Sequence, residues 1–73
     1  MAQYPRLKEL REDHDLTQTA IAKLLFTTQQ QYSLYENGYR EISPAMLITL
    51  ADFYNTSVDY ILGRTDNPNP IKK

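Results

Sequence analysis

The sequence has no cysteine in its 73 residues, so neither a disulfide nor a thiolate metal site can staple the fold and hydrophobic contacts must suffice. That absence suits a reducing compartment. No apolar stretch approaches the roughly 20 residues needed to cross a bilayer, and the start of the chain lacks the charged head and hydrophobic stretch of a signal peptide. The cytoplasm is the expected location. Repeats and low-complexity tracts are absent, and no segment alternates apolar and polar residues as a half-buried strand does. A chain of this length holds one domain with a modest core, burying about 60% of the surface its unfolded form exposes. Little room remains for a deep cleft.

Catalytic chemistry is missing as well. His14 has no second histidine or cysteine with which to complete a metal site, and it belongs on the surface near a helix end. Glu12, Asp13 and Asp15 sit together but on an exposed helix end, with no pocket to raise a pKa. Ser33 has no base beside it. No catalytic residue, metal or cofactor is expected, so the candidate functions are those of a binding module.

What the sequence does have is helical spacing, punctuated often by capping and turn residues. Pro5 suits the first turn of a helix that turns Leu7 and Leu10 inward and ends near His14. Thr17 caps a second helix with Ile21, Ala22 and Leu25 on one face. Thr28 caps a third that runs to about Asn37, where Gly38 supplies a left-handed stop. Ser43 and Pro44 open a fourth helix carrying Leu47, Leu50, Ala51 and Tyr54. Ser57 caps a short fifth with Val58, Ile61 and Leu62, closed by Gly63. The expected fold is all-α: one compact five-helix domain over about residues 4–63. The tail, 64–73, is rich in proline and asparagine, buries little and should be mobile.

The formal net charge is −1, which by itself argues against a polyanionic partner. Position matters more than the sum. Acids cluster at Glu9, Glu12, Asp13 and Asp15 and return at Glu36 and Glu41, but from Leu16 to Tyr35 there is none, and Lys23 is the only charge. A polyanion can approach this window without meeting a carboxylate.

Inside the window lies "TTQQQYSLYENG". At 100° per residue, Thr28, Tyr32 and Tyr35 fall on the core side of the third helix, and Gln29, Gln30, Ser33 and Leu34 fall on the other. Gln31 lies at the boundary, nearer the core. The outward face therefore offers two amides, a small hydroxyl and a leucine with no charge among them. A glutamine amide matches the donor and acceptor of adenine N6 and N7, and a leucine can touch a thymine methyl. Charged side chains would bind phosphate without reading bases. Glutamine is also a good helix former that is often merely solvated, so the face alone does not decide its role.

The short "FTT" connection between the second and third helices, with a longer turn after the third, makes a helix-turn-helix. The order "LTQ…IAKLL…TTQQQYSLYENG…SPAMLITLADFYNTSVDYILG" resembles the helix-turn-helix family of lambdoid phage repressors, Cro proteins and the small XRE-type bacterial regulators. The resemblance runs from about Pro5 to Asp66 and implies a lambda-repressor-like fold. It implies that Gln29, Gln30, Ser33 and Leu34 read bases in the major groove of double-stranded DNA. It further implies that Gln18 touches a phosphate and braces the start of the recognition helix, and that Asn37, Tyr39 and Arg40 meet the DNA backbone from the loop; Thr17 and Thr28 fall in the same backbone set. Phe26 occupies the turn position where the family commonly has glycine, which demands a less favourable backbone conformation or an altered turn. The basic residue the family often carries near Leu34 is missing, so affinity per monomer should be low.

The implied function is a sequence-specific transcriptional regulator, a repressor, acting as a homodimer on a two-fold operator. The competing class is a protein-interaction module, antitoxin-like or anti-repressor, on the same fold. Phe53, Tyr54 and Tyr60 are the candidate subunit contact, because the aromatic residues there exceed what so small a core needs. On the helical wheels Arg11 extends the Leu7–Leu10 stripe toward the third helix, and Glu36 lies one turn after Tyr32. The family's arginine and glutamate at these positions add to the expectation of a partly buried bidentate ion pair.

Overall fold

The computed structural model describes residues 4–70. Among them lie five helices and no strand: α1 Leu7–Asp13, α2 Gln18–Leu24, α3 Gln29–Glu36, α4 Pro44–Phe53 and α5 Val58–Ile61. The all-α expectation holds. The end of the expected mobile tail, residues 71–73, lies outside the described residues.

Four helices start as capping chemistry requires. The hydroxyls of Thr17, Thr28, Ser43 and Ser57 accept hydrogen bonds from the backbone N–H of Ala20, Gln31, Met46 and Tyr60 respectively, each satisfying a donor that the helix leaves unpaired. Helix α1 differs. Pro5 sits in a turn ahead of the helix instead of in its first turn, and Arg6 at the cap position makes no side-chain capping bond.

All five helices end in one way. At each terminus the residue two beyond the helix is left-handed: Asp15 (φ 55°), Phe26 (56°), Gly38 (81°), Asn55 (55°) and Gly63 (77°). Its N–H, and that of the next residue, turn back to carbonyls of the last turn, as in Phe26 to Lys23 (3.2 Å) and Thr27 to Ala22 (2.9 Å). This is the Schellman ending, which satisfies the last carbonyls and reverses the chain. Asp15 and Asn55 occupy positions that asparagine and aspartate tolerate. Phe26 has no such excuse, and its side chain lies almost fully in solvent, 98% exposed.

The core is built from Leu7 of α1, Ile21 of α2, Tyr32 of α3, Leu50 of α4 and Ile61 of α5, all at 0–1% exposure, so each helix contributes one fully sealed residue. Leu10, Tyr35, Val58 and Leu62 pack around it half-buried. The chain ahead of α1 is drawn in as well: the Ile42 N–H donates to the buried Tyr4 hydroxyl at 2.8 Å, fixing the loop after α3.

The proposed aromatic subunit contact needs correction. Tyr54 is buried in the core, Tyr60 is half-buried under the Arg6 guanidinium at 4.1 Å, and only Phe53 is exposed, its ring edge-on to Tyr54. Tyr54 continues the Leu47, Leu50 and Ala51 stripe of the fourth helix into the core, where the helical spacing also puts it; counting it toward an exposed aromatic patch conflicts with that spacing. Arg6 does more than cover Tyr60: its guanidinium donates to the carbonyls of Tyr60 (3.0 Å) and Thr65 (2.6 Å) and to Asp66 Oδ1 (2.7 Å). It thereby ties the chain after α5 to the start of α1.

Candidate nucleic-acid interface

Helix α3 packs chiefly on α2 and holds its place through Tyr32, which is fully buried. With that residue inward, Gln29 and Gln30 project into solvent and Ser33 and Leu34 are half-exposed beside them. Gln31 is half-buried and Thr28 is exposed, engaged in its cap instead of facing the core. At the end of the helix, the Asn37 Nδ2 donates to Ser33 Oγ at 3.2 Å. Tyr39 and Arg40 are exposed in the following loop, their N–H groups both directed at the Leu34 carbonyl. Thr17 is exposed at its cap, and Gln18 is half-buried at the start of α2.

Behind this face lies a buried polar cluster. The Arg11 Nε and Nη2 donate to Glu36 Oε2 and Oε1, both at 2.9 Å, and Arg11 Nη1 donates to the Leu16 carbonyl at 2.9 Å. The two side chains are 13% and 2% exposed, so α1 is joined to the end of α3 by a bidentate pair shielded from water. Burial alone pushes the Glu36 carboxyl up; the Arg11 guanidinium, then the adjoining Tyr32 hydroxyl and the Gln18 amide, outweigh it and hold it below its ordinary 4.5. Burial and then the Glu36 charge push the Tyr32 phenol well above its ordinary value, although no hydrogen bond of ordinary geometry reaches its hydroxyl. The Tyr54 hydroxyl is also buried without a partner, and burial pushes it up to about 12.

The cluster continues outward to the exposed face. Gln18 Nε2 donates to Glu36 Oε1 at 3.3 Å, and Gln29 Nε2 donates to Gln18 Oε1 at 2.6 Å. Sequence reasoning brings Arg11 and Glu36 together and separately places Gln18 next to the start of α3, but it does not join them into one chain of bonds. His14 lies apart on the surface, its Nδ1–H donating to the Leu10 carbonyl at 2.8 Å. Among the described residues no cluster of side chains could hold a metal ion, and no helix is long and apolar enough to cross a membrane.

Two short helices joined by a tight turn, the second carrying an outward amide face over a pinned base, define a helix-turn-helix domain. The profile of the helix-turn-helix family matches residues 7–61, and the chain belongs to that family, in its XRE type. It is 40% identical over 65 residues to an uncharacterised HTH-type transcriptional regulator, YobD, of Bacillus subtilis, which covers 89% of this chain and 58% of that protein. It is 38% identical over 61 residues to the HTH-type transcriptional regulator ImmR of the same organism, covering 84% of this chain and 48% of that protein. It is 32% identical over 66 residues to the antitoxin PezA of Streptococcus pneumoniae, covering 90% and 42%. The chain thus spans about half the length of these relatives. No solved structure matches it.

Proposed function

We propose that this chain is a sequence-specific regulator of transcription, a repressor, that binds double-stranded DNA through α3 in the major groove. It is a binding protein and not an enzyme. The observation that carries the reading is the exposed pair Gln29 and Gln30 on a face without carboxylates, beside half-exposed Ser33 and Leu34. These groups match base edges, and the names of YobD and ImmR as transcriptional regulators support the assignment. Thr17, Gln18, Thr28, Asn37, Tyr39 and Arg40 are the candidate contacts to the sugar–phosphate backbone, because they are polar and match the positions at which the family's pattern places such contacts.

Substitution tests the division of labour. Gln29→Ala and Gln30→Ala should each cost about 1 to 3 kcal/mol on the preferred site and relax the base preference locally, while non-specific binding stays nearly constant. Equal loss on every sequence would remove the base-reading role.

The antitoxin relative and the net charge of −1 favour a second reading, a protein-interaction module on the same fold. A salt series separates the two. Binding that depends on phosphates weakens steeply as salt rises, because counterions are released; a chain whose partner is a protein shows no such slope with any duplex selected from a random pool.

A further inference from the structure

The bonds linking Arg11, Glu36, Gln18 and Gln29 have a direction. A carboxylate paired with a guanidinium is ionised and can only accept hydrogen bonds. The Gln18 amide must therefore turn its NH₂ toward Glu36, which it does at 3.3 Å, and this leaves its carbonyl oxygen facing α3. A carbonyl oxygen can only accept, so Gln29 must in turn present its NH₂ to Gln18, at 2.6 Å. Each amide could be turned over in isolation; in series with a buried charge neither can be without losing a bond. The Glu36 side chain is 2% exposed, whereas Gln29 is in solvent. Seven residues apart, they lie on one side of α3 about two turns from each other, the charge sealed at the end of the helix and the amide open at its start, with Gln18 bridging them.

We propose that Glu36, acting through Gln18, is a specificity-positioning residue: it fixes which way round the Gln29 amide faces and so makes that position select adenine. The inference rests on the DNA-reading role proposed for Gln29. With one Nε2 hydrogen committed to Gln18, the amide keeps its oxygen and its second hydrogen for a base. That edge meets adenine with oxygen against the N6 amino group and N–H against N7. Turned over, the same amide would set oxygen against N7 and NH₂ against N6, repelling at both. Guanine, with acceptors at O6 and N7, cannot satisfy the outward oxygen in either case. Glu36 touches no base; it orders the donor and acceptor that do.

Two variants and two measurements test this. Glu36→Gln keeps the shape but supplies a group that can donate or accept, so the relay loses its direction. Gln18→Met interrupts the relay while leaving the Arg11–Glu36 pair in place, which guards against misreading a folding defect. In the free wild-type protein, nuclear magnetic resonance should show one Gln29 side-chain amide proton displaced from the position of a solvated glutamine and slow to exchange with water. Both variants should return it to the position and exchange rate of a solvated glutamine. In selections from a random duplex pool, both should reduce the preference for adenine at the Gln29 position by between about 5- and 150-fold, the range of one bidentate base contact. The preferences at other positions should remain.

A Gln29 amide that exchanges like any exposed glutamine in the wild type overturns the relay. An intact amide signature with unchanged adenine preference in Glu36→Gln overturns the specificity role while leaving DNA reading by α3 untouched. A wild-type chain that selects no duplex overturns the DNA-reading role, and the specificity role falls with it, even where the amide signature is present. Loss of the signature together with loss of adenine preference in both variants supports the proposal.

Discussion

Phe26 and Tyr54 show how single residues depart from what their positions favour. Phe26 takes a left-handed backbone, which costs an L-residue with a side chain about 1 to 2 kcal/mol, and its ring gains no packing because it is 98% exposed. Phe26→Gly should relieve that strain, partly offset by the roughly 0.5 to 1 kcal/mol that glycine loses in conformational freedom. A net stabilisation of about 0.5 to 1 kcal/mol is expected, raising Tm by a few degrees. Phe26→Ala keeps the strain and should change little; equal melting temperatures for the two variants would show that the turn is not strained. Tyr54 has the opposite problem, a buried hydroxyl without a partner. Tyr54→Phe removes an unsatisfied group and should be neutral or stabilising by up to about 1 kcal/mol at pH 7. The pH dependence follows from the raised phenol: the unfolded tyrosine ionises near 10, the folded one only near 12. Stability is therefore fully present below 10 and falls as pH rises toward 12. The variant should flatten part of that alkaline slope in chemical denaturation.

At the scale of elements, the Arg11–Glu36 pair joins α1 to the end of α3. Removing one partner leaves the other charge buried, and Arg11→Ala or Glu36→Ala should each cost about 3 to 5 kcal/mol. The double variant should cost much less than the sum, because it strands neither charge. Small, additive losses would describe a solvated pair. The carboxyl is depressed below 4.5 in the folded state, so its contribution is present above that value and is lost as pH falls through the folded pKa; Glu36→Gln should remove this acid limb from a stability profile. Glu36→Ala should also weaken DNA binding by loosening α3.

These elements also show what a sequence can and cannot disclose. The starts at Thr17, Thr28, Ser43 and Ser57 are legible because a cap needs a particular side chain at a particular place. The ends at Gly38 and Gly63 are legible for a similar reason, whereas Asp15 and Asn55 end helices equally well without announcing it. Tyr54 is legible as the end of the Leu47, Leu50 and Ala51 stripe, and its place in a surface patch comes from counting aromatic residues against that spacing. The role of Arg6 leaves no local trace: its partners lie more than fifty positions away. The link from Glu36 through Gln18 to Gln29 crosses two helices, and no spacing rule within either one contains it.

For the molecule as a whole, the described residues extend 33 × 25 × 21 Å. Two copies placed side by side across a two-fold axis can therefore present their α3 helices about 34 Å apart, one turn of DNA. A homodimer bound this way should require two half-sites at that spacing. Shifting one half-site by about five base pairs puts it on the opposite side of the duplex and should sharply reduce binding, while a further shift of five should restore part of it. A chain that sediments as a monomer at high concentration and binds one isolated half-site with full affinity would exclude the dimer.

The common ending of the five helices bears on how the chain reaches this shape at all. Each terminator is closed by bonds spanning no more than five residues, such as Arg64 to Asp59 and Leu16 to Arg11, so every helix can find its own boundary before any distant partner arrives. Helices this short hold only once their apolar faces pack, so the folding search docks pieces whose ends are marked locally but whose turns are secured by the docking. Chains with such near-neighbour bonding cross their barrier in microseconds to milliseconds, and a single exponential phase on that timescale is expected in temperature-jump relaxation.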